Sequence, residues 1–158
     1  MKRRAAGFTL IEVLVAATVL AVLASTALPL AELSVKRSRE NQLRAALREI
    51  RGAIDAYKQA VDEGRITKKA DETGYPPKLQ LLYEGVEDQR SAKKQRIYFL
   101  RRMPRDPMHP DAGAPAVATW GLRAYDSPHD APREGRDVYD VYSLSPATGL
   151  NGLPYREW

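Results

Sequence analysis

Polar residues are almost absent from one long stretch near the start of the chain. Residues 8–31 read FTLIEVLVAATVLAVLASTALPLA, 24 positions carrying a single charge, Glu12. As a helix this stretch is long enough to cross a bilayer. From residue 32 onward the pattern becomes amphipathic. Leu43, Leu47, Ile50, Ile54, Tyr57 and Val61 recur at steps of four, three, four, three and four, which is one face of a helix. Ala46, Ala53 and Ala60 lie beside that stripe and permit close approach of another element, while Arg44, Arg48, Arg51, Asp55 and Lys58 fill much of the remaining circumference. The stripe spans fewer than three heptads and a large segment follows it, so it reads as a core-packing face and not as a coiled-coil seam. Asp62-Glu63-Gly64-Arg65 supplies the stop, with Gly64 near the C-cap.

Beyond the helix the signals are shorter. Gly74-Tyr75-Pro76-Pro77 marks a turn, and residues 78–83 read as a short helix ending before Gly85. Residues 97–100 form a brief apolar run. Six prolines between residues 101 and 137 argue for irregular chain, interrupted by one strand over residues 118–125. A final strand, rich in valine and tyrosine, is predicted over residues 137–144. The expected fold class is α+β: one long N-terminal helix, half transmembrane and half amphipathic, packed on a small antiparallel β-sheet through Leu43, Leu47, Ile50, Ile54, Tyr57 and Val61. The expected divisions are a leader at 1–7, a transmembrane or polymerisation helix at 8–31, an amphipathic helix at 32–63 and a C-terminal domain at 64–158.

Charge changes this picture little once position is considered. The net charge of +5 and pI near 9.5 would suit a nucleic-acid partner. Three of the 25 basic residues, however, are Lys2, Arg3 and Arg4; without them 22 remain against 20 acids, a net of +2. Cysteine is absent, which excludes a disulfide framework and thiolate chemistry. His109 and His129 stand in proline-rich segments without a nucleophile elbow, zinc spacing or phosphate loop, so the chain does not read as an enzyme. Lys93-Lys94-Gln95-Arg96 and Arg101-Arg102, beside Tyr98, are the one candidate patch for nucleic acid.

Glu12 is the residue that demands an explanation. An ionised carboxylate within an apolar span costs about 2.5 to 3.5 kcal/mol at mid-membrane and somewhat less near the end. Cleavage as a conventional signal at Ala24-Ser25-Thr26-Ala27, or retention as a signal anchor held inside by Lys2, Arg3 and Arg4, leaves that charge without a role. The basic leader ending in Gly7 and followed by Phe8-Thr9-Leu10-Ile11-Glu12 resembles the class III signal of type IV pilins and type II secretion pseudopilins. The resemblance implies cleavage after Gly7 by a prepilin peptidase, N-methylation of Phe8, and pairing of Glu12 with the new ammonium of Phe8 in its own or a neighbouring subunit. It also implies a kink or local melt at Pro29 within a continuing helix.

Two further segments are similar to signatures of the major pseudopilin of type II secretion: residues 98–107, YFLRRMPRDP, and residues 139–144, YDVYSL, with Trp158 matching the usual terminal tryptophan. The resemblance implies a structural subunit that forms a homopolymer with minor pseudopilins. It further implies an inner-membrane platform, a secretion ATPase, a C-terminal domain in the periplasm of a bacterium and surrounding lipid before assembly. One departure stands out. Where the family commonly carries an Asp-rich calcium loop, residues 145–157 contain only one acid, Glu157, whereas calcium needs six to eight oxygen ligands. No cofactor is therefore expected, with calcium in this loop as the alternative, and packing of Leu150, Leu153, Tyr155 and Trp158 with local hydrogen bonds is expected to hold the loop. An adhesive or motile type IV pilus, or a competence pilin for DNA uptake, is the alternative reading.

Overall fold

The computed structural model describes residues 8–158, and at residues 26–28 the backbone alone. The leader, and with it Gly7, lies outside the described residues. The chain divides into two units, one ending at Ser38 and the other comprising Arg39–Trp158. Helix α1, Leu10–Asp62, contributes to both.

In the first unit α1 has no core to bury against. Every large apolar residue described between Phe8 and Val35 is exposed. Burying one such side chain is worth roughly 1.5–3 kcal/mol, so about a dozen left in water would outweigh the whole stability of a typical domain, about 5–15 kcal/mol. This part of α1 is long and apolar enough to cross a membrane. Two of its hydroxyls bond along the helix itself: Thr18 Oγ1 donates to the Leu14 carbonyl at 2.8 Å and Ser25 Oγ to that of Val22 at 2.7 Å.

The second unit builds its core on the amphipathic end of α1. Leu43, Leu47, Ile50, Ile54, Tyr57 and Val61 are all buried, and Ala46, Ala53 and Ala60 beside them are buried too. The stripe meets Ile66, Leu79, Leu82, Leu100, Trp120, Val138, Val141 and Tyr155 in one cluster. The helix ends in a Schellman arrangement. Gly64 adopts φ +70°, Arg65 N–H donates to the Ala60 carbonyl at 2.8 Å and Gly64 N–H to that of Val61 at 2.9 Å. Gly64 is thus the residue that lets the chain leave the helix and fold back.

The sheet is smaller and more divided than the residue pattern predicts. Helix α2, Gln80–Glu84, precedes an antiparallel pair of two-residue strands, β1 (Val86–Glu87) and β2 (Arg96–Ile97). A separate antiparallel pair joins β3 (Trp120–Arg123) to β4 (Asp140–Ser143), with Trp120 opposite Ser143 and Arg123 opposite Asp140. There are thus two two-stranded sheets among the described residues, not one. The strand predicted at 118–125 loses its start to a 3₁₀ turn, Ala116–Thr119, in which Thr119 Oγ1 donates to the Ala116 carbonyl and accepts from Asp106 N–H. The strand predicted at 137–144 begins three residues late. The Asp137 carboxylate is turned inward to accept from Thr73 Oγ1 and from Tyr125 N–H, and Val138 N–H goes to the Pro76 carbonyl instead of the ladder. Buried polar groups at both ends won the backbone away from regular pairing.

Glycine matters at one point of the ladder. Gly121 faces Tyr142 across β3 and β4, and a methyl group there would overlap the Tyr142 ring, whereas a methyl at Gly52 on α1 meets open space. In urea unfolding of the fragment beginning at Glu32, Gly121→Ala is expected to lose about 1–3 kcal/mol through overpacking. Gly52→Ala is expected to gain about 0.5–1 kcal/mol through helix propensity.

Candidate functional site

The start of α1 is a reciprocal cap. Thr9 precedes the helix, and its carbonyl accepts the first helical bond, from Val13 N–H at 3.2 Å. Glu12 Oε2 accepts from Thr9 N–H and from Thr9 Oγ1, both at 2.8 Å, while Thr9 Oγ1 accepts from Glu12 N–H at 3.4 Å. This is a capping box, and it places a carboxylate where the positive end of the helix dipole favours one. Thr9 was legible in the sequence from its Thr-x-x-Glu spacing, a signal that a reading of Glu12 as a counter-charge alone passes over. The carboxylate is therefore held at the helix mouth by its own neighbour. Phe8, the next residue outward, is 87% exposed. Pro29 lies inside α1.

A second constellation fixes the end of the second unit. Glu40 on α1 is buried, and its Oε1 accepts from Leu150 N–H at 2.7 Å and from the Tyr155 hydroxyl at 3.0 Å. Burial first, and then this hydrogen bond, push the Tyr155 phenol up to about 12. Arg44, one turn along, sits 4.0 Å from Glu40 Oε2 and stacks its guanidinium 4.2 Å over the Trp158 ring. Trp158 in turn meets Tyr155 edge-on and covers Gly149, where a side chain would collide with the indole. Arg51 completes the attachment: its Nε pairs with Asp140 Oδ1 at 2.7 Å, and its second arm donates to the Trp158 carbonyl at 2.7 Å and the Val141 carbonyl at 3.1 Å. Arg123 takes the other oxygen of Asp140 at 3.1 Å. Of these residues the sequence pointed to Tyr155 and Trp158. Glu40 and Arg51 looked like ordinary members of a polar helix face, and nothing in their spacing marked them out.

This arrangement bears on calcium. The only acid of residues 145–157 is Glu157, the Asn151 side-chain oxygen is taken by Leu153 N–H, and the Glu40 carboxylate already binds loop donors. Among the described residues no three His, Cys, Asp or Glu side chains gather as a cation would require.

The remaining candidates are exposed or engaged in local contacts. Lys93 and Lys94 lie in the exposed β1–β2 loop, where Asp88 anchors the chain by pairing with Arg65 at 2.7 Å. The Arg65 hydrogen bond, aided by one from Arg90 N–H, holds the Asp88 carboxyl below the usual carboxylate range. Arg96 donates to the Glu84 carbonyl. His109 hydrogen-bonds with Asp111 within its own loop, and His129 lines a cavity beside Arg51, Arg123 and Asp140. The two segments 98–107 and 139–144 do meet. Asp106, buried, accepts from Ser143 Oγ at 2.6 Å and from Met108 N–H at 2.7 Å.

Comparison with known proteins adds one finding. Residues 2–28 match the prokaryotic N-terminal methylation motif, a prepilin-type sequence that supports the type IV pilin-like superfamily. No curated protein and no solved structure matches the chain. The motif and the apolar half of α1 together suit a membrane-anchored, filament-forming structural subunit processed by a prepilin peptidase.

Two outcomes follow for the anchored end. Glu40→Ala strands the buried Tyr155 hydroxyl and the part-buried Leu150 N–H and is expected to cost about 1–3 kcal/mol in urea unfolding of the Glu32 fragment, with Glu40→Gln, which keeps an acceptor, costing less. The Tyr155 phenol, raised from 10.0 to about 12, favours the neutral form in the folded state, so its contribution is complete below pH 10 and is lost as pH climbs toward about 12. Unfolding midpoints measured across that window should fall in the parent protein and fall less in Tyr155→Phe.

Proposed function

We propose that this chain is the subunit of a short periplasmic pseudopilus that drives protein export through a type II secretion system. The observation that carries the reading is the methylation motif over residues 2–28, set on a helix whose large apolar residues are exposed as far as Val35. Such a helix is stable in lipid, or in a bundle where copies of the same segment replace the lipid. The secretion assignment is supported by the two segments that resemble the major pseudopilin, which Asp106 and Ser143 tie together. The proposed partners are further copies of the chain, minor pseudopilins, the prepilin peptidase, and an inner-membrane platform with its ATPase, which supplies the chemistry. In this reading Lys2, Arg3 and Arg4 keep the leader on the cytoplasmic side, and the loop of residues 145–157 closes without calcium.

Glu12 acts twice in this account. Within one chain it caps α1 through Thr9, and on assembly it offers its charge to the ammonium that cleavage creates on Phe8. Pro29 would supply the local give that lets the helices pack in the filament.

Intact-mass measurement of membrane-extracted protein should show loss of residues 1–7 and one added methyl; a mature chain beginning after Ala27 would overturn the processing. Glu12→Gln isolates the charge, because glutamine also serves in a capping box. The variant should insert and be cleaved normally yet yield no sheared filaments, since an ammonium buried without a counter-charge costs several kcal/mol. Deletion of the gene should abolish export of proteins to the medium. Loss of DNA uptake or motility with export intact would favour the pilus alternative. Chelation should leave the melting temperature of the Glu32 fragment unchanged; a fall restored by calcium would show a metal in the loop.

A further inference from the structure

Two surfaces of the second unit carry charge that the unit itself does not use, and they are of opposite sign. One is a groove beside α1, floored by Gly52, Ala56 and Phe99 and rimmed by Arg48, Arg101 and Arg102, with Glu49 as its acid. All three arginines are exposed, and among the described residues none has an ion-pair or hydrogen-bond partner. A methyl built on Gly52 meets nothing within 4 Å, so a neighbour can come close to the helix backbone there. The groove therefore carries a net of two positive charges over a small-residue floor.

The other surface is the exposed loop between β3 and β4. Asp126, Asp130 and Glu134 stand out from it with no ion-pair partner among the described residues, against the exposed cations Arg133 and Arg136. Its exposed side chains carry a net of one negative charge, and the three acids are gathered within residues 126–134. The loop is held in shape by Ser127, which accepts from Arg133 N–H at 2.8 Å and donates to the Ala131 carbonyl, so the acids are presented on a defined turn.

The two surfaces also lie on different flanks of α1. The acidic loop borders the cavity whose helix residue is Arg51, while the groove is lined by Arg48, Glu49, Gly52, Ala53 and Ala56. At 100° per residue these positions are centred about 130° apart around the helix, one on each side of the buried stripe. Complementary patches on different flanks cannot satisfy each other in a two-fold dimer. They join front to back, and a front-to-back contact that does not close gives an open filament.

We propose that the Arg48/Arg101/Arg102 groove receives the Asp126–Glu134 loop of a second copy of this chain, making the lateral contact between globular units along the filament. The proposal rests on the filament reading above and adds to it a specific pair of surfaces. Matched charge would steer and register each incoming subunit, while the small-residue floor lets the loop seat against the helix.

The absence of cysteine makes the test clean, because introduced thiols have no competitors. In the full-length chain expressed in its own membrane, Arg101→Cys combined with Asp130→Cys should cross-link into a ladder of dimers, trimers and higher species. Neither single substitution should give a ladder. Arg101→Glu with Arg102→Glu should lower filament yield by about tenfold or more, as should Asp126→Lys with Asp130→Lys, and the four changes together should restore it. Abundant filaments from the cysteine-free parent, with no ladder from the double variant or with dimers alone, would overturn the contact and leave the filament reading intact. Absence of filaments from the parent would instead overturn the filament reading and this contact with it. Binding of mixed-sequence duplex DNA that Arg101→Glu with Arg102→Glu abolishes, while filaments persist, would assign the groove to nucleic acid and overturn the proposal.

Discussion

The arrangement depends on one constraint: α1 is a 53-residue helix that meets two different environments. Over residues 43–61 a stripe of large side chains and a row of alanines bury against loops and short strands, and that burial supplies the core of the second unit. Over the first part the same regular backbone presents apolar side chains on every face with nothing to cover them. No surface helix of a soluble domain tolerates that, because the hydrophobic penalty would exceed the stability available to the fold. The first unit thus suits lipid or a bundle of like helices, in keeping with the methylation motif it carries.

Glu12 shows how one carboxylate can meet two requirements without moving far. A bare charge at the edge of an apolar span is costly, and the capping box lowers that cost by giving the carboxylate an amide and a hydroxyl to bind while it answers the unsatisfied donors of the helix. Phe8 beside it is exposed, and in the proposed filament the same carboxylate would serve the cation at that end.

In the second unit the sheets are too short to organise the chain alone. Two strand pairs of two and four residues leave most of the backbone in loops, and buried or half-buried ionic groups do the fastening. Glu40 and Arg51, on the helix, reach opposite ends of the last segment through backbone groups and Tyr155. Asp106 and Asp137 tie proline-rich loops to β4 and to the turn before α2. Each carboxylate spends its lone pairs on amides and hydroxyls at fixed positions, which specifies loop geometry that apolar contact alone would leave loose.

What the sequence by itself determined follows from periodicity and from the cost of charge in apolar surroundings. The span of residues 8–31, the buried face from Leu43 to Val61, the stop at Gly64 and the singular position of Glu12 are local patterns, and a helix displays them in order along the chain. Thr9 was equally local and readable from its spacing. Tertiary structure decided the rest because the deciding partners are far apart: Glu40 meets Leu150 and Tyr155 more than a hundred residues away, and Arg51 reaches Asp140 and Trp158. β-propensity extended both strands of the second ladder too far, since it is blind to a Thr119 or an Asp137 that turns inward to bind a distant amide or hydroxyl. A helix writes its contacts at steps of three and four, whereas loops closed by single hydrogen bonds leave no period to read.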